Sequence, residues 1–361
     1  MIDTPVEPLP KEEVVKAIER RIKDPRRRKQ LMLSERPMPR GKEFTPELLE
    51  PCRCGELDAI LQSGLDSHLP GYTREELRGA GIVKWITPPT DFDRYVLVGD
   101  PGQNTPPDRN SAVATVIIND PPLNRMSLEF MDELEGRANE LTADKSVRAV
   151  VITGAGDANF SVGMDLKQLP EGVRRRGSIE AVLDQRLRVL AAIENMEKPV
   201  IAVLYGYCLG GGLELPLACH FRVAAAEGAK IGLPELDLGT VPAWGGTARL
   251  TRCVGRAAAL DMILRAKKIS GPEALRIGLV HEVCPNSDLK RRAHELAQEL
   301  AAMPSIAVAG VLKCVVGAGE KSLEEALAEE RRAVVRTMGT KDQQEGMKAF
   351  LEKRKPNFTG E

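Results

Sequence analysis

Two glutamates, Glu214 and Glu235, stand in apolar, glycine-rich stretches where a carboxylate is unusual. Glu214 follows three glycines in "CLGGGLELPLACH" (208–220), and Glu235 follows a proline in "IGLPELDLGTVPAWGG" (231–246). A carboxylate removed from water is costly unless it is paired or functional, so both positions are candidates for acid–base chemistry. Two carboxyl groups beside a site that polarises a carbonyl could add water to, or remove it from, a conjugated double bond.

The glycine triplet could supply such a site. Leu213–Ala218 has the composition of a buried helix, although glycine costs roughly 1 kcal/mol relative to alanine in a helix interior. The first amides of a helix lack intrahelical acceptors, and glycine lets a ligand approach the backbone. A second loop, "GAGDANFSVGMDLKQL" (154–169), also follows an apolar strand. One amide from each loop could bind a carbonyl oxygen as it becomes negative.

Each of these features also has a structural explanation that involves no catalytic role. The triplet can serve a sharp turn or tight packing, Glu214 can complement the helix dipole, and Glu235 can be a solvated loop residue. The triplet is neither a phosphate-binding P-loop nor a dinucleotide fingerprint, because it lacks the residues and the spacing of both. A predicted strand separates the two glutamates, so a strand and its return could bring both into one pocket.

Apolar strands and helices alternate after residue 110, which is typical of an α/β fold with helices packed over a sheet. The pattern predicts a helix at 127–143, mostly helix from 286 onward, and strands at 112–118, 147–153, 199–205, 221–226 and 278–284. Residues 1–110 are instead rich in charge and proline. They contain one predicted amphipathic helix within 11–33 and a predicted linker at 99–110.

The composition narrows the class of protein. With 361 residues, 42% hydrophobic and 29% charged, the chain is expected to be globular, with two or three domains. Its 51 basic and 52 acidic residues give a net charge of −1, which favours neither nucleic acid nor an anionic membrane. Seven scattered cysteines, no signal peptide and no apolar run of about 18 residues predict a cytoplasmic protein with reduced thiols. The four histidines lack metal-ligand spacing, so no metal is expected.

From about residue 112 to the end, the sequence closely resembles the enoyl-CoA hydratase/isomerase, or crotonase, family. The matching stretches follow in family order: "NFSVGMDLKQL", "EKPVIAVLYGYCLGGGLELPLACHFRVAA", "GLPELDLGTVPAWGGTARLTRCVGRAAALDMIL" and "EGMKAFLEKRKPNF". The resemblance implies a crotonase-like catalytic core of repeated ββα units at 111–285. It also implies a helical C-terminal region at 286–361 that forms a homotrimer or a dimer of trimers. Residues 1–110 are an atypical N-terminal extension of unknown role.

The resemblance implies hydration of a 2-enoyl-CoA thioester to the 3-hydroxyacyl-CoA, with no cofactor apart from the coenzyme A of the substrate. The backbone N–H groups of Met164 and Gly211 are expected to form the oxyanion hole. Glu214 is expected to activate water, and Glu235 to deliver a proton to C2. Possession of both glutamates is the hydratase pattern. Isomerisation, or hydration or hydrolysis of a cyclic dienoyl-CoA, remains an alternative within the family.

Five further residues are assigned to substrate binding by the same resemblance. Asp165, Leu166 and Lys167 are expected to contact coenzyme A. Ala243 and Trp244 are expected to line the acyl pocket, where family hydratases have glycine and alanine, although Trp244 could instead be a core or trimer-interface residue. Outside the enzymes, an RNA-binding protein on this scaffold is the competing hypothesis, supported only by "RRRK" (26–29) and "RRR" (174–176).

Overall fold

The computed structural model describes residues 96–99 and 112–361. The chain divides into two units, residues 1–94 and 95–361, and every described residue belongs to the second unit. The helix predicted within 11–33, the basic cluster at 26–29 and the predicted linker, apart from Gly99, lie outside the described residues.

A six-stranded sheet forms the centre of the described unit. Its strands are β1 Val96–Gly99, β2 Val113–Ile118, β3 Ala149–Gly154, β4 Val200–Leu204, β6 Phe221–Ala225 and β8 Glu282–Cys284. They lie in the order β1-β2-β3-β4-β6-β8, with β1 antiparallel to β2 and the remaining neighbours parallel. Every residue of β3 and β4 is buried, as expected for parallel strands covered on both faces.

A second, two-stranded parallel sheet pairs β5, Tyr207–Leu209, with β7, Lys230–Gly232. Two isolated bridges join loops beside it, Ser161 with Cys208 and Met126 with Met164. This small sheet follows the carboxyl end of β4, so the loops after β3 and β4 are fixed at the same edge of the main sheet.

Ten α-helices accompany the two sheets within the described residues. They are α1 Leu128–Ala143, α2 Leu169–Arg176, α3 Ile179–Glu194, α4 Gly211–Ala218, α5 Gly246–Leu264, α6 Gly271–Arg276, α7 Leu289–Ala301, α8 Ser305–Gly317, α9 Leu323–Thr337 and α10 Lys341–Leu351. Short 3-10 turns cover Leu166–Gln168, Glu235–Leu238 and Ala318–Glu320. No described helix is long and apolar enough to cross a membrane alone; Leu289–Ala301 and Ser305–Glu320 pass that test only as a pair bent by 108°.

The predicted elements are confirmed where the sequence pattern is continuous. The strands predicted at 112–118, 147–153, 199–205 and 221–226 and the helix at 127–143 are all present, and helices fill most of 289–351. The strand predicted at 278–284 is wrong in its first half. Gly278 has a φ of +80°, and Leu279 donates a backbone hydrogen bond to Ala274, so this segment closes α6 before β8 begins. The strand β1, within the residues assigned to the extension, was not predicted.

Candidate functional site

The loops after β3 and β4 are joined by backbone hydrogen bonds through Ser161. Its N–H donates to the carbonyl of Tyr207 at 3.0 Å, and its carbonyl accepts from Leu209 at 3.1 Å. Gly212 packs against this connection so closely that a Cβ there would lie 2.3 Å from the Ser161 carbonyl oxygen. At least one glycine of the triplet is therefore required for tight packing, which was one of the explanations open from the sequence.

The backbone amides of Met164 and Gly211 are brought close together by this packing. Gly163, which precedes Met164, has a φ of +88°, and a Cβ on it would lie 2.9 Å from the nitrogen of Gly211. Gly211 is the first residue of α4, so its N–H has no acceptor within the helix. Among the described residues, no group accepts a hydrogen bond from the N–H of Met164 or Gly211. Two unused donors are therefore available for one oxygen atom.

Glu214 is buried in the first turn of α4, with 2% of its surface exposed. Its Oε1 accepts hydrogen bonds from the backbone N–H groups of Trp244 at 2.7 Å and Gly246 at 2.8 Å. Burial raises the pKa of Glu214 to about 7, against the opposing effect of these two hydrogen bonds, and the nearby carboxylate of Glu235 raises it further. Glu214 can therefore exchange a proton near neutral pH.

Glu235 begins the 3-10 turn after β7 and faces the glycine triplet. Its Oε1 lies 3.0 Å from the position that a Cβ on Gly210 would occupy. Its Oε2 is buried without a hydrogen-bond partner among the described residues, and burial raises the pKa of this carboxyl group as well. A buried carboxyl oxygen that lacks a partner is unfavourable unless a water molecule or a ligand completes it. Glu235 and Glu214 thus both lie at the N-terminal end of α4.

Trp244 forms a wall of the same site. Only 3% of its surface is exposed, and a Cβ on Gly211 would lie 2.5 Å from its ring, so the indole lies against the first residue of α4. It belongs to the hydrophobic core and also contacts the glycine whose amide is unused. Its backbone N–H holds Glu214. The neighbouring Ala243 is exposed, and its assignment to the acyl pocket stays a prediction.

The three residues assigned to coenzyme A lie directly after Met164. Asp165 accepts a hydrogen bond from the backbone N–H of Lys167 at 3.2 Å and so begins the 3-10 turn Leu166–Gln168. Leu166 and Lys167 are exposed. The structure therefore places Leu166 and Lys167 at the surface beside the paired amides, with Asp165 half-buried, and the contacts of all three with coenzyme A stay predictions.

One residue near the site, Arg186 of α3, was missed by the sequence analysis. It is fully buried, and its guanidinium carbon lies 6.0 Å from the centroid of the Trp244 ring. A signal for it exists in the sequence. The buried residues of α3 recur at helical spacing, and Arg186 interrupts a stripe that otherwise includes Val182, Val189 and Leu190. Among the described residues, no group of three or more histidine, cysteine or acidic side chains could hold a metal ion.

A family model described as enoyl-CoA hydratase/isomerase matches residues 108–361. A probable enoyl-CoA hydratase of Bacillus subtilis is 38% identical over 250 residues, which are 69% of this chain and 96% of that protein. A short-chain-enoyl-CoA hydratase of Clostridium acetobutylicum is 36% identical over 249 residues, 69% of this chain and 94% of that protein.

Solved structures are similar over the same region. The crystal structure of an enoyl-CoA hydratase from Bacillus anthracis matches with a TM-score of 0.66 at 34% identity, covering 74% of this chain and all of that one. The structure of Pseudomonas aeruginosa DspI matches with a TM-score of 0.69 at 31% identity, covering 76% of this chain and all of that one.

Proposed function

Because the chain belongs to the enoyl-CoA hydratase/isomerase family and has its crotonase-like α/β fold, we propose that it hydrates a 2-enoyl-CoA thioester to the 3-hydroxyacyl-CoA. One observation carries the proposal. Two carboxyl groups with raised pKa values, the buried Glu214 and the half-buried Glu235, lie at the end of α4 whose first amide is unused. An oxyanion site flanked by two acid–base groups suits addition of water to a conjugated thioester.

In the proposed reaction, the N–H groups of Met164 and Gly211 bind the thioester oxygen and stabilise the negative charge that develops on it. Glu214, as a carboxylate, takes a proton from water while the water oxygen forms a bond to C3. Glu235, as the acid, delivers a proton to C2, so the product contains the substrate plus one water. Both carboxyl groups then return to their starting states when the proton gained by Glu214 is transferred back to Glu235, directly or through solvent.

Isomerisation and RNA binding have weaker support than hydration. Isomerisation needs only one carboxyl group to move a proton between two carbons, whereas this site has two. The RNA-binding hypothesis relied in part on Arg174, Arg175 and Arg176 of α2. Each of these arginines forms an ion pair: Arg174 and Arg175 with Glu171, Arg175 also with Glu129 at 2.8 Å, and Arg176 with Asp132 at 2.5 Å. Their charge is matched locally, which leaves little for phosphate groups.

An assay with but-2-enoyl-CoA tests the proposed function. Hydration removes the conjugated double bond, so the ultraviolet absorbance of the enoyl thioester should fall, and chromatography should identify the 3-hydroxyacyl-CoA. An unchanged absorbance with this substrate and with longer and carboxylated 2-enoyl-CoAs would contradict the proposal.

The oxyanion site gives a prediction at Gly163. In Gly163→Ala, the new Cβ would lie 2.7 Å from the Leu209 carbonyl oxygen and 2.9 Å from the Gly211 nitrogen. It would push the two amides apart, so we expect kcat to fall about a hundredfold, as for loss of one oxyanion donor. Gly156→Ala is the matched control. Gly156 also has a positive φ, +70°, but nothing lies within 4 Å of its added Cβ. Equal kcat values for the two variants would contradict this role of Gly163.

We also propose that copies of the chain assemble as a homotrimer or a dimer of trimers. Large apolar side chains are exposed on the C-terminal helices, namely Val311, Val315, Leu327, Val334, Val335, Phe350 and Leu351. Exposed apolar clusters of this kind are typical of protein interfaces. Light scattering should give a mass of three or six chains, and a species of 39.4 kDa, the mass of one chain, at micromolar concentration would contradict the assembly.

A further inference from the structure

The helix α3 buries a charged residue in the position of an apolar one. Arg186 has no exposed surface and lies in the same stripe as Val182, Val189, Leu190 and Ile193. An arginine at such a position is costly unless its charge and its donors find partners. The question is therefore which group its guanidinium binds.

The described residues use only one of the three guanidinium nitrogens. Nη1 donates to the carbonyl of Val182 at 3.1 Å and to Oε1 of Gln185 at 2.9 Å. Nε and Nη2 are buried and have no hydrogen-bond partner among the described residues. Asp132 contributes an opposite charge to the surroundings of Arg186, but its Oδ1 accepts from Gln185 at 2.7 Å and from Arg176 at 2.5 Å. Burial lowers the pKa of Arg186 to about 10, so it remains a cation at neutral pH.

The two unused nitrogens form one edge of the guanidinium. Elsewhere in this protein the same edge binds carboxylates: Arg292 donates from Nε and Nη2 to the two oxygens of Glu282 at 2.7 and 2.8 Å. Arg276 binds Glu273 in the same way at 2.7 Å for both bonds. Such paired bonds match the planar geometry of a carboxylate. The free edge of Arg186 therefore fits a carboxylate that these residues do not provide.

Arg186 and the candidate site both lie next to Trp244. Its guanidinium carbon is 6.0 Å from the indole centroid, and the indole lies against Gly211. The backbone of Trp244 also holds Glu214. A single aromatic side chain therefore connects the guanidinium with the residues proposed to bind the thioester oxygen and the water.

We infer that Arg186 binds a carboxylate at the far end of the acyl chain, so that the preferred substrates are 2-enoyl-CoA thioesters with a terminal carboxylate. This inference rests on the proposed function and names its substrate class. Trp244 then shapes the path between the thioester and the carboxylate and lies within reach of a cation–π contact with the guanidinium. An uncharged acyl chain of the same length would leave both donors of the Arg186 edge unpaired, which disfavours it.

The inference is tested with pairs of substrates. Each pair has a but-2-enoyl-CoA with a carboxylate on its terminal carbon and the carbamoyl analogue, which has the same shape without the charge. Homologues with one and two more methylenes in the acyl chain allow for different distances between the thioester and Arg186. For the acyl-chain length that gives the highest kcat/KM, we expect the wild type to favour the carboxylate over the carbamoyl analogue by about tenfold or more. If the ratio of kcat/KM for the carboxylate to kcat/KM for the carbamoyl analogue were one or less at all three chain lengths, the wild-type result alone would overturn the inference.

Variants of α3 test whether Arg186 is the residue that causes the preference for a carboxylate. In Arg186→Met, we expect the carboxylate-to-carbamoyl ratio of kcat/KM to fall about tenfold or more. Arg186→Lys should keep part of this ratio, because lysine retains the charge but not the paired donors. Arg188→Met, on the same helix and 61% exposed at its side chain, is the matched control and should keep the wild-type ratio. A wild-type ratio in soluble Arg186→Met would overturn the assignment. If the protein hydrated none of the substrates, the proposed function itself would be wrong. This outcome differs from hydration without a carboxylate preference, which would contradict only the inference about Arg186.

Discussion

Replacing Glu235 by glutamine is expected to reduce kcat for hydration at least about a hundredfold while leaving the affinity for the CoA thioester nearly unchanged. Glutamine keeps the size of the side chain beside Gly210 but cannot deliver a proton to C2. The buried Oε2, which has no partner among the described residues, marks the atom where the proton exchange is proposed. Steady-state kinetics would give kcat, and calorimetric titration with the product would give the affinity.

The neighbouring Asp237 provides the control for this substitution. It lies in the same 3-10 turn, its side chain is 59% exposed, and it pairs with Lys268 at 3.3 Å. Asp237→Asn removes a carboxylate from the same turn without changing Glu214 or Glu235, so its kcat should equal that of the wild type. If Glu235→Gln retained more than about a tenth of the wild-type kcat, a barrier increase below ~1.4 kcal/mol, Glu235 would have no place in the mechanism.

Glu214→Gln is expected to cause a loss of similar size, with a change in pH dependence as well. Glu214 acts as a base, so it must be ionised, and its pKa is about 7. Activity of the wild type should therefore fall at low pH as Glu214 becomes protonated, and at high pH as Glu235 loses the proton that it delivers to C2. The amide that replaces the carboxyl group cannot titrate, although its oxygen can still accept the hydrogen bonds from Trp244 and Gly246. The residual activity of Glu214→Gln should lack the decrease at low pH, which a pH profile of kcat/KM would measure.

The variant with both substitutions distinguishes a shared water from two separate roles. Groups that act as a unit give losses that are far from additive, so the double variant should be little slower than the slower single variant. If the two single losses multiplied in the double variant, Glu214 and Glu235 would act independently, and the mechanism in which they hold one water would be wrong.

The sequence predicts those parts of the fold that local patterns determine. The central strands are continuous apolar runs, such as 149–154 and 200–204, and these runs were recognised because both faces of a parallel sheet are buried. The strand β1 was missed because a strand of four residues in charged surroundings has too short a pattern. The strand predicted at 278–284 was too long because Leu279 and Val280 are buried in a turn rather than in the sheet.

The sequence predicts which residues belong to the candidate site but not how they are arranged, and their catalytic roles stay predictions. The motifs predict Glu214 and Glu235 as site residues. The backbone donors to Glu214, however, come from Trp244 and Gly246, at the start of α5. A sequence does not state which loop returns to a given helix end. Arg186 was missed for a related reason, since its charge resembled that of a solvated helix face until the burial of its whole stripe was known.

Hydration of but-2-enoyl-CoA in isotopically labelled water tests the central claim most directly. In water labelled with oxygen-18 and deuterium, the account predicts an early product with one heavy oxygen at C3 and one deuterium at C2, both read by mass spectrometry and nuclear magnetic resonance. Deuterium without heavy oxygen would indicate isomerisation, and heavy oxygen in a released carboxylate would indicate hydrolysis. Either result would contradict the proposal that Glu214 and Glu235 add one water across the double bond.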